Sequence, residues 1–156
     1  MMIKFNKKMN ETINKIQEEA AKFKNERPGN SPTEIWEKLK VYESSLSLLE
    51  KEKERFYVIG MDIRHNIKFI DITGTGTNSR AIVEPRETFR MAILAGVNSI
   101  VIAHNHPAGS LEPSSEDKLL TTTLVKAGKI VGIEILDHII ISDKGYYSFT
   151  ERNNLY

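Results

Sequence analysis

Between His104 and Asp117 the chain reads H-N-H-P-A-G-S-L-E-P-S-S-E-D. Two imidazoles two positions apart and one carboxylate make a three-ligand set for a borderline metal, with a fourth position open to water. An open position separates a catalytic zinc site from a structural one, and zinc lowers the pKa of such a water to about 7. The water also needs a base. Glu54 is the candidate: it heads an apolar run, and a partly desolvated carboxylate is a better proton acceptor. Ser114 can donate a hydrogen bond to an oxyanion. With Asp117 three residues later, it also reads as a helix N-cap with an acid in the first turn, and the two roles are compatible. The chain has no cysteine, which excludes thiolate ligands, thiolate nucleophiles, disulfides and iron–sulfur clusters.

These residues need elements to hold them. S-I-V-I-A runs into His104 as a buried strand, and residues two apart in a strand share a face, so His104 and His106 converge at its carboxyl end. Pro107-Ala108-Gly109 turns the chain, and Pro113-Ser114 opens a helix that carries Asp117 in its first turn. That helix is expected from Ser114 to about Ala127, with Leu119, Leu120, Leu124 and Val125 inward and Gly128 as its stop. E-R-F-Y-V-I-G-M-D from Glu54 is a strand, Arg64-His65-Asn66 a turn, and N-I-K-F-I-D-I-T a partly buried strand. T-G-T-G-T-N-S reads as a loop, and no helix opens directly after it, so it is not a dinucleotide fingerprint. Pro85 opens a helix through Phe89, Met91, Ile93 and Leu94 that Gly96 ends. A long strand from Ile130 to Ser142 turns at Asp143-Lys144-Gly145 into Y-Y-S-F-T. Strands alternating with helices around one sheet place the domain in the α/β class.

Upstream, Met9, Ile13, Ile16, Ala20 and Phe23 recur at helical spacing. Such a stripe docks on its own domain or makes a homodimer contact. Its lysines alternate with Glu11, Glu18, Glu19 and Glu26, which reads as a solvated face rather than a DNA-binding one. Arg27-Pro28-Gly29-Asn30 is a linker. Ser31, Pro32 and Glu34 then form a capping box before a helix with Trp36, Leu39 and Tyr42 on its apolar side, and a short helix follows through Leu46 and Leu49. The chain thus divides into an N-terminal helical extension, 1–30, and a domain, 31–156. A net charge of +1 calls for neither nucleic acid nor an anionic membrane as partner. No apolar run reaches the roughly 18 residues of a membrane span. The N-terminus lacks the apolar core and cleavage site of a signal peptide, so the expected compartment is the cytoplasm.

The set Glu…His-x-His…Ser-x-x-Asp resembles the JAMM motif of JAB/MPN metallopeptidases, with ten residues between His106 and Asp117. The contiguous H-N-H is not the nuclease motif of that name, which spreads over a longer ββα unit. With E-P-R-E-T-F upstream and L-D-H-I-I-I downstream, the string is similar to the bacterial RadC-like branch from about Ser31 onward. The resemblance implies a JAB/MPN, cytidine-deaminase-like sandwich of one mixed sheet with flanking helices. It implies Zn2+ on His104, His106 and Asp117, Glu54 as general acid/base, and Ser114 as oxyanion helper. Glu52, Glu84 and Glu87 are the other glutamates near these motifs, and Glu87 reads as structural beside Arg86. Asp137-His138 matches a family pair that is either structural or supports the metal ligands. The chain departs at Ala108, where relatives often have Ser, and at Ser110-Leu111, where they have Asp-Pro. About thirty residues precede the domain without a hairpin-type glycine pattern, so the resemblance supports DNA as a partner only weakly. The expected function is metal-dependent hydrolysis of a peptide or isopeptide bond in a protein or peptide substrate. The rival is a non-catalytic RadC-like module in DNA repair or mobile-element maintenance.

Overall fold

The computed structural model describes residues 31–76 and 83–155. The expected helix from Met9 to Phe23 lies outside them. Among the described residues, five strands form one mixed sheet in the order β2-β1-β3-β4-β5: β1 Glu54–Met61, β2 Ile67–Gly76, β3 Ser99–Asn105, β4 Glu134–Ser142 and β5 Gly145–Ser148. Only β3 and β4 run parallel, and a parallel pair needs a crossover. Helix α4, Ser115–Val131, is that crossover. Helix α1, Pro32–Ser44, and the single turn α2, Leu48–Lys51, precede the sheet, and α3, Pro85–Ala95, lies between β2 and β3.

Both faces of the sheet are covered, which is why β3 is buried along its whole length and β1 from Arg55 onward. One face carries Phe56, Val58, Ile100, Ile102 and Ile140 against Phe89, Ala92 and Met91 of α3 and Leu124 and Val125 of α4. The other carries Tyr57, Ile59, Val101, Ala103, Ile139 and Ile141 against Ile35 and Leu39 of α1. The result is an α/β sandwich built on one mixed sheet with flanking helices.

Helix boundaries follow the local chemistry. Ser31 and Glu34 make the reciprocal capping box, and Pro32 fills the first helical position. Gly96 closes α3 in the left-handed conformation that glycine adopts without a Cβ penalty.

Several expectations change. Helix α4 runs past Gly128 to Val131 and stops at Gly132, with φ 76°, so β4 begins at Glu134 rather than Ile130. Its buried stripe is Thr121, Leu124, Val125 and Gly128, and Leu119 falls off it, 69% exposed. In α1 the inward pair is Ile35 and Leu39, one turn apart, with Tyr42 exposed. Leu46 precedes α2, and Leu49 within it is exposed. Strand β2 continues through T-G-T-G to Gly76, because β1 supplies backbone partners as far as Glu54.

Gly128 is therefore a packing residue. A Cβ there would stand 2.5 Å from the Ile133 backbone oxygen and 3.3 Å from the Phe89 ring. Alanine for glycine inside a helix usually stabilises by about 0.8–1 kcal/mol. Here the sign should reverse, with Gly128→Ala destabilising by about 1–3 kcal/mol through overpacking. Urea unfolding reads it: a midpoint equal to or above that of the parent would refute the close approach.

Candidate metal centre

The centre is assembled where three elements end. β3 delivers His104 on the face that packs against α3 and α4, and His106 follows two residues on, its N–H donating to the Ile141 carbonyl of β4 at 3.1 Å. The first turn of α4 delivers Asp117, and the first residue of β1 delivers Glu54, two residues from Phe56, which registers with His104. One ligand atom each from Glu54, His104 and His106 lie within 4.8 Å of one another. Asp117 is at least as close, with Oδ1 3.2 Å from His104 Nε2 and Oδ2 3.6 Å from His106 Nε2. Glu54, His104 and His106 thus come together, and Asp117 lies beside the two histidines.

Ser114 stands one step away. It is the N-cap of α4, and its hydroxyl donates to Asp117 Oδ2 at 2.7 Å while accepting from the Asp117 N–H at 3.1 Å. The Ser114 N–H also donates to Oδ2, at 2.7 Å. The capping box therefore aims the carboxylate. Glu87 is on the surface in exposed ion pairs with Arg86 and Arg90, as a structural residue would be.

Hydrogen bonding decides which ring nitrogens face the centre. A carbonyl only accepts, so His106 Nδ1, 2.8 Å from the Ser110 carbonyl, carries a proton and Nε2 points inward. A longer chain sets His104. Thr121 Oγ1 donates to the Asp117 carbonyl at 2.6 Å, which uses its only proton. It must then accept from His138 Nδ1, also at 2.6 Å. His138 is fully buried, and burial followed by repulsion from His104 pushes its pKa well below the usual value, so it is neutral. Its Nε2 accordingly accepts from His104 Nδ1 at 2.8 Å, which leaves His104 Nε2 free to face the centre. His138 is held for this by stacking on Phe149, 4.8 Å between ring centres at 11°.

The two Nε2 atoms stand 2.9 Å apart beside two carboxylates. Groups this close repel unless a proton or a metal cation lies among them. Glu54 Oε2 makes the demand sharper, because it is buried with no hydrogen-bond partner; among the described residues only Thr73 Oγ1 shares that condition. Asp117 shows the same field. Burial alone would raise its pKa, but hydrogen bonding to His104 and His106 holds it well below the usual carboxylate range. His106 is shifted up, chiefly by its bond to Asp117. The residues fit a divalent metal with nitrogen and oxygen donors.

Asp137 and His138, adjacent in sequence, separate in role. Asp137 faces away from the centre and accepts from the Ser148 hydroxyl and from the His138 and Thr150 N–H groups, tying β4 to the C-terminal turn. Thr121 was missed in the sequence because it looks like any polar residue on a helix. The signal available was its position four residues after Asp117, on the same face.

A cavity of about 320 Å³ adjoins His106, bordered by Lys40, Glu43, Lys51, Asn105 and Asp143. Among the described residues no helix is long and apolar enough to cross a membrane.

Residues 33–155 match the profile of the RadC-like JAB domain. The chain is 37% identical over 124 residues to a UPF0758 protein of Thermotoga maritima, covering 80% of this chain and 56% of that one. It is 44% identical over 117 residues to a UPF0758 protein of Clostridioides difficile, covering 74% and 48%. The corresponding protein of Symbiobacterium thermophilum is 40% identical over 102 residues, covering 65% and 44%. The chain spans about half the length of the curated relatives it matches.

The tautomer chain makes a sharp prediction. Thr121→Val keeps the shape but removes the acceptor that sets His138, and through it His104. Divalent-metal affinity, read by chelator competition, should fall about 10- to 100-fold, with Thr121→Ser close to the parent. Equal affinity in all three proteins would show that Thr121 does not govern the ligand.

Proposed function

The chain belongs to the RadC-like JAB domain family, and from that premise we propose that it is a zinc-dependent hydrolase of peptide or isopeptide bonds. One observation carries the reading: two imidazoles, each held through Nδ1 so that Nε2 faces inward, meet the Asp117 carboxylate and the buried, partnerless oxygen of Glu54. A purely structural zinc site would close its coordination with protein ligands and would not need a second buried carboxylate beside them.

His104, His106 and Asp117 would hold the metal, and zinc bound there would supply Lewis acidity toward the scissile carbonyl and an acidified water. Glu54 Oε2 takes the proton of the attacking water and returns it to the departing amine nitrogen, so one carboxylate serves as base and then as acid. Ser114 orients Asp117 through its hydroxyl; when substrate competes for that proton, the same hydroxyl donates to the developing oxyanion. Imidazole and carboxylate donors without thiolate suit zinc at a catalytic rather than a structural site.

Metal content of tag-free protein tests the reading first. About one equivalent of zinc is expected in the parent, lost in His106→Ala and retained in Glu54→Gln. Glu54→Gln should still bind peptide substrates but hydrolyse them at least about 100-fold more slowly, as removal of a general base does. Wild-type protein that contains no zinc and takes none up, or a Glu54→Gln variant with full turnover, would overturn the proposal.

A further inference from the structure

We infer that Asn105 is a positioning residue that fixes Glu54 against the two histidines; the inference rests on the reading of Glu54 as the base. Asn105 lies between His104 and His106 and projects to the opposite face of the sheet, where it is buried. The β1–β3 ladder reaches its last residue pair at Phe56 and His104, two residues short of Glu54. Beyond that point the β3 backbone turns to β4, with the His106 N–H on Ile141.

The side chain of Asn105 continues the ladder. Its Oδ1 accepts from the Arg55 N–H at 2.5 Å, and its Nδ2 donates to the Lys53 carbonyl at 3.0 Å. Those two backbone groups bracket Glu54. The carboxamide thus stands in for the peptide group of a strand that is no longer there. The amide side chain offers a donor and an acceptor in one plane, and a carboxylate of similar reach would leave the Lys53 carbonyl bond unmade.

The same segment is anchored from its helix side. The Arg55 guanidinium is buried and bonds Glu43 of α1, the Glu50 carboxylate and backbone carbonyl of α2, and the Lys53 carbonyl. Glu43 also accepts from the Tyr57 hydroxyl. Lys53 and Arg55 are therefore pinned between α1, α2 and Asn105, which leaves the Glu54 side chain directed to the opposite face with the histidines. Because Asn105 shares a tripeptide with both imidazoles, Glu54 cannot move relative to them without breaking a bond to Asn105. A displacement of about 1 Å at a reacting group can cost about 100-fold in rate.

The test uses the full chain loaded with cobalt(II) as a visible probe, comparing the parent, Glu54→Gln, Asn105→Ala and the double variant. Asn105→Ala should keep about one equivalent of cobalt, since the ligand set is intact. Its d–d bands should move in the same direction as those of Glu54→Gln, and the double variant should add little to either. On a cleavable peptide its kcat should fall about 100-fold with KM within about twofold of the parent. Hydrogen exchange of the wild-type protein provides a reading that needs no variant: the Arg55 amide should be as protected as amides inside the β1–β3 ladder. If that amide exchanges like an exposed one, or if Glu54→Gln moves bands and turnover while Asn105→Ala moves neither, the inference is overturned and the base assignment stands. If Glu54→Gln itself moves neither, the base assignment fails and the inference falls with it.

Discussion

The close approach of two imidazoles and two carboxylates is the constraint on which this architecture turns. The two Nε2 nitrogens stand 2.9 Å apart beside the carboxylates, and the group would separate if its supports were soft. None of the supports is soft. His104 ends a strand buried on both faces, Asp117 is gripped by three hydrogen bonds of the α4 cap, and Glu54 begins a strand held on both edges. The parallel β3–β4 pair forces α4 to cross over the sheet, and this crossover carries the carboxylate back above the histidines. The fold thus stores the approach energy of a cation in packing that is already in place, so that binding needs little reorganisation.

The polar chain beneath the centre is unusual for a core. Thr121 and His138 are fully buried among Phe56, Phe149 and Leu124. A buried polar network costs stability unless every member is satisfied. Here the account closes: the Asp117 carbonyl, Thr121 hydroxyl, His138 ring and His104 Nδ1 each have a partner, and the one ring atom left over points at the metal position. The directionality follows from a single backbone carbonyl that cannot donate. An electronic property of the site, which nitrogen of His104 is available, is thereby determined by secondary structure.

Much of the centre was legible because its residues have distinctive chemistry and simple periodicity. His-x-His at a strand end and Ser-x-x-Asp at a helix start each map to one geometry. The order of elements was legible for the same reason, since apolar runs and glycine or proline breaks mark it. What was hidden depends on distant partners. Gly128 resembles a helix stop, yet Phe89 and Ile133 pack so closely that it must lack a side chain while the helix goes on. Leu119 looks inward by composition, but the inward stripe of α4 is phased by Thr121 and Leu124. Thr121 and Asn105 carry no chemical signature of their own. Their meaning comes from His138 on β4 and from the Lys53–Arg55 backbone at the start of β1, contacts that sequence spacing does not reveal.

The departures from the family pattern can now be weighed by contact. Ser110 presents a backbone carbonyl to His106 Nδ1, a role that any residue at that position can fill. Leu111 packs against the core, so it anchors the loop by an apolar contact. A proline there would restrict its own φ, whereas leucine restrains the loop through burial instead. The loop that leads from the histidines to Asp117 is therefore secured at both ends by different physics: a hydrogen bond to a ligand at Ser110 and a hydrophobic contact at Leu111. Neither contact involves the Ala108 side chain, whereas the Ser110 hydroxyl also accepts from the Glu112 N–H at 3.3 Å, so Ala108 is the position at which the rim of the centre can vary without disturbing the ligands.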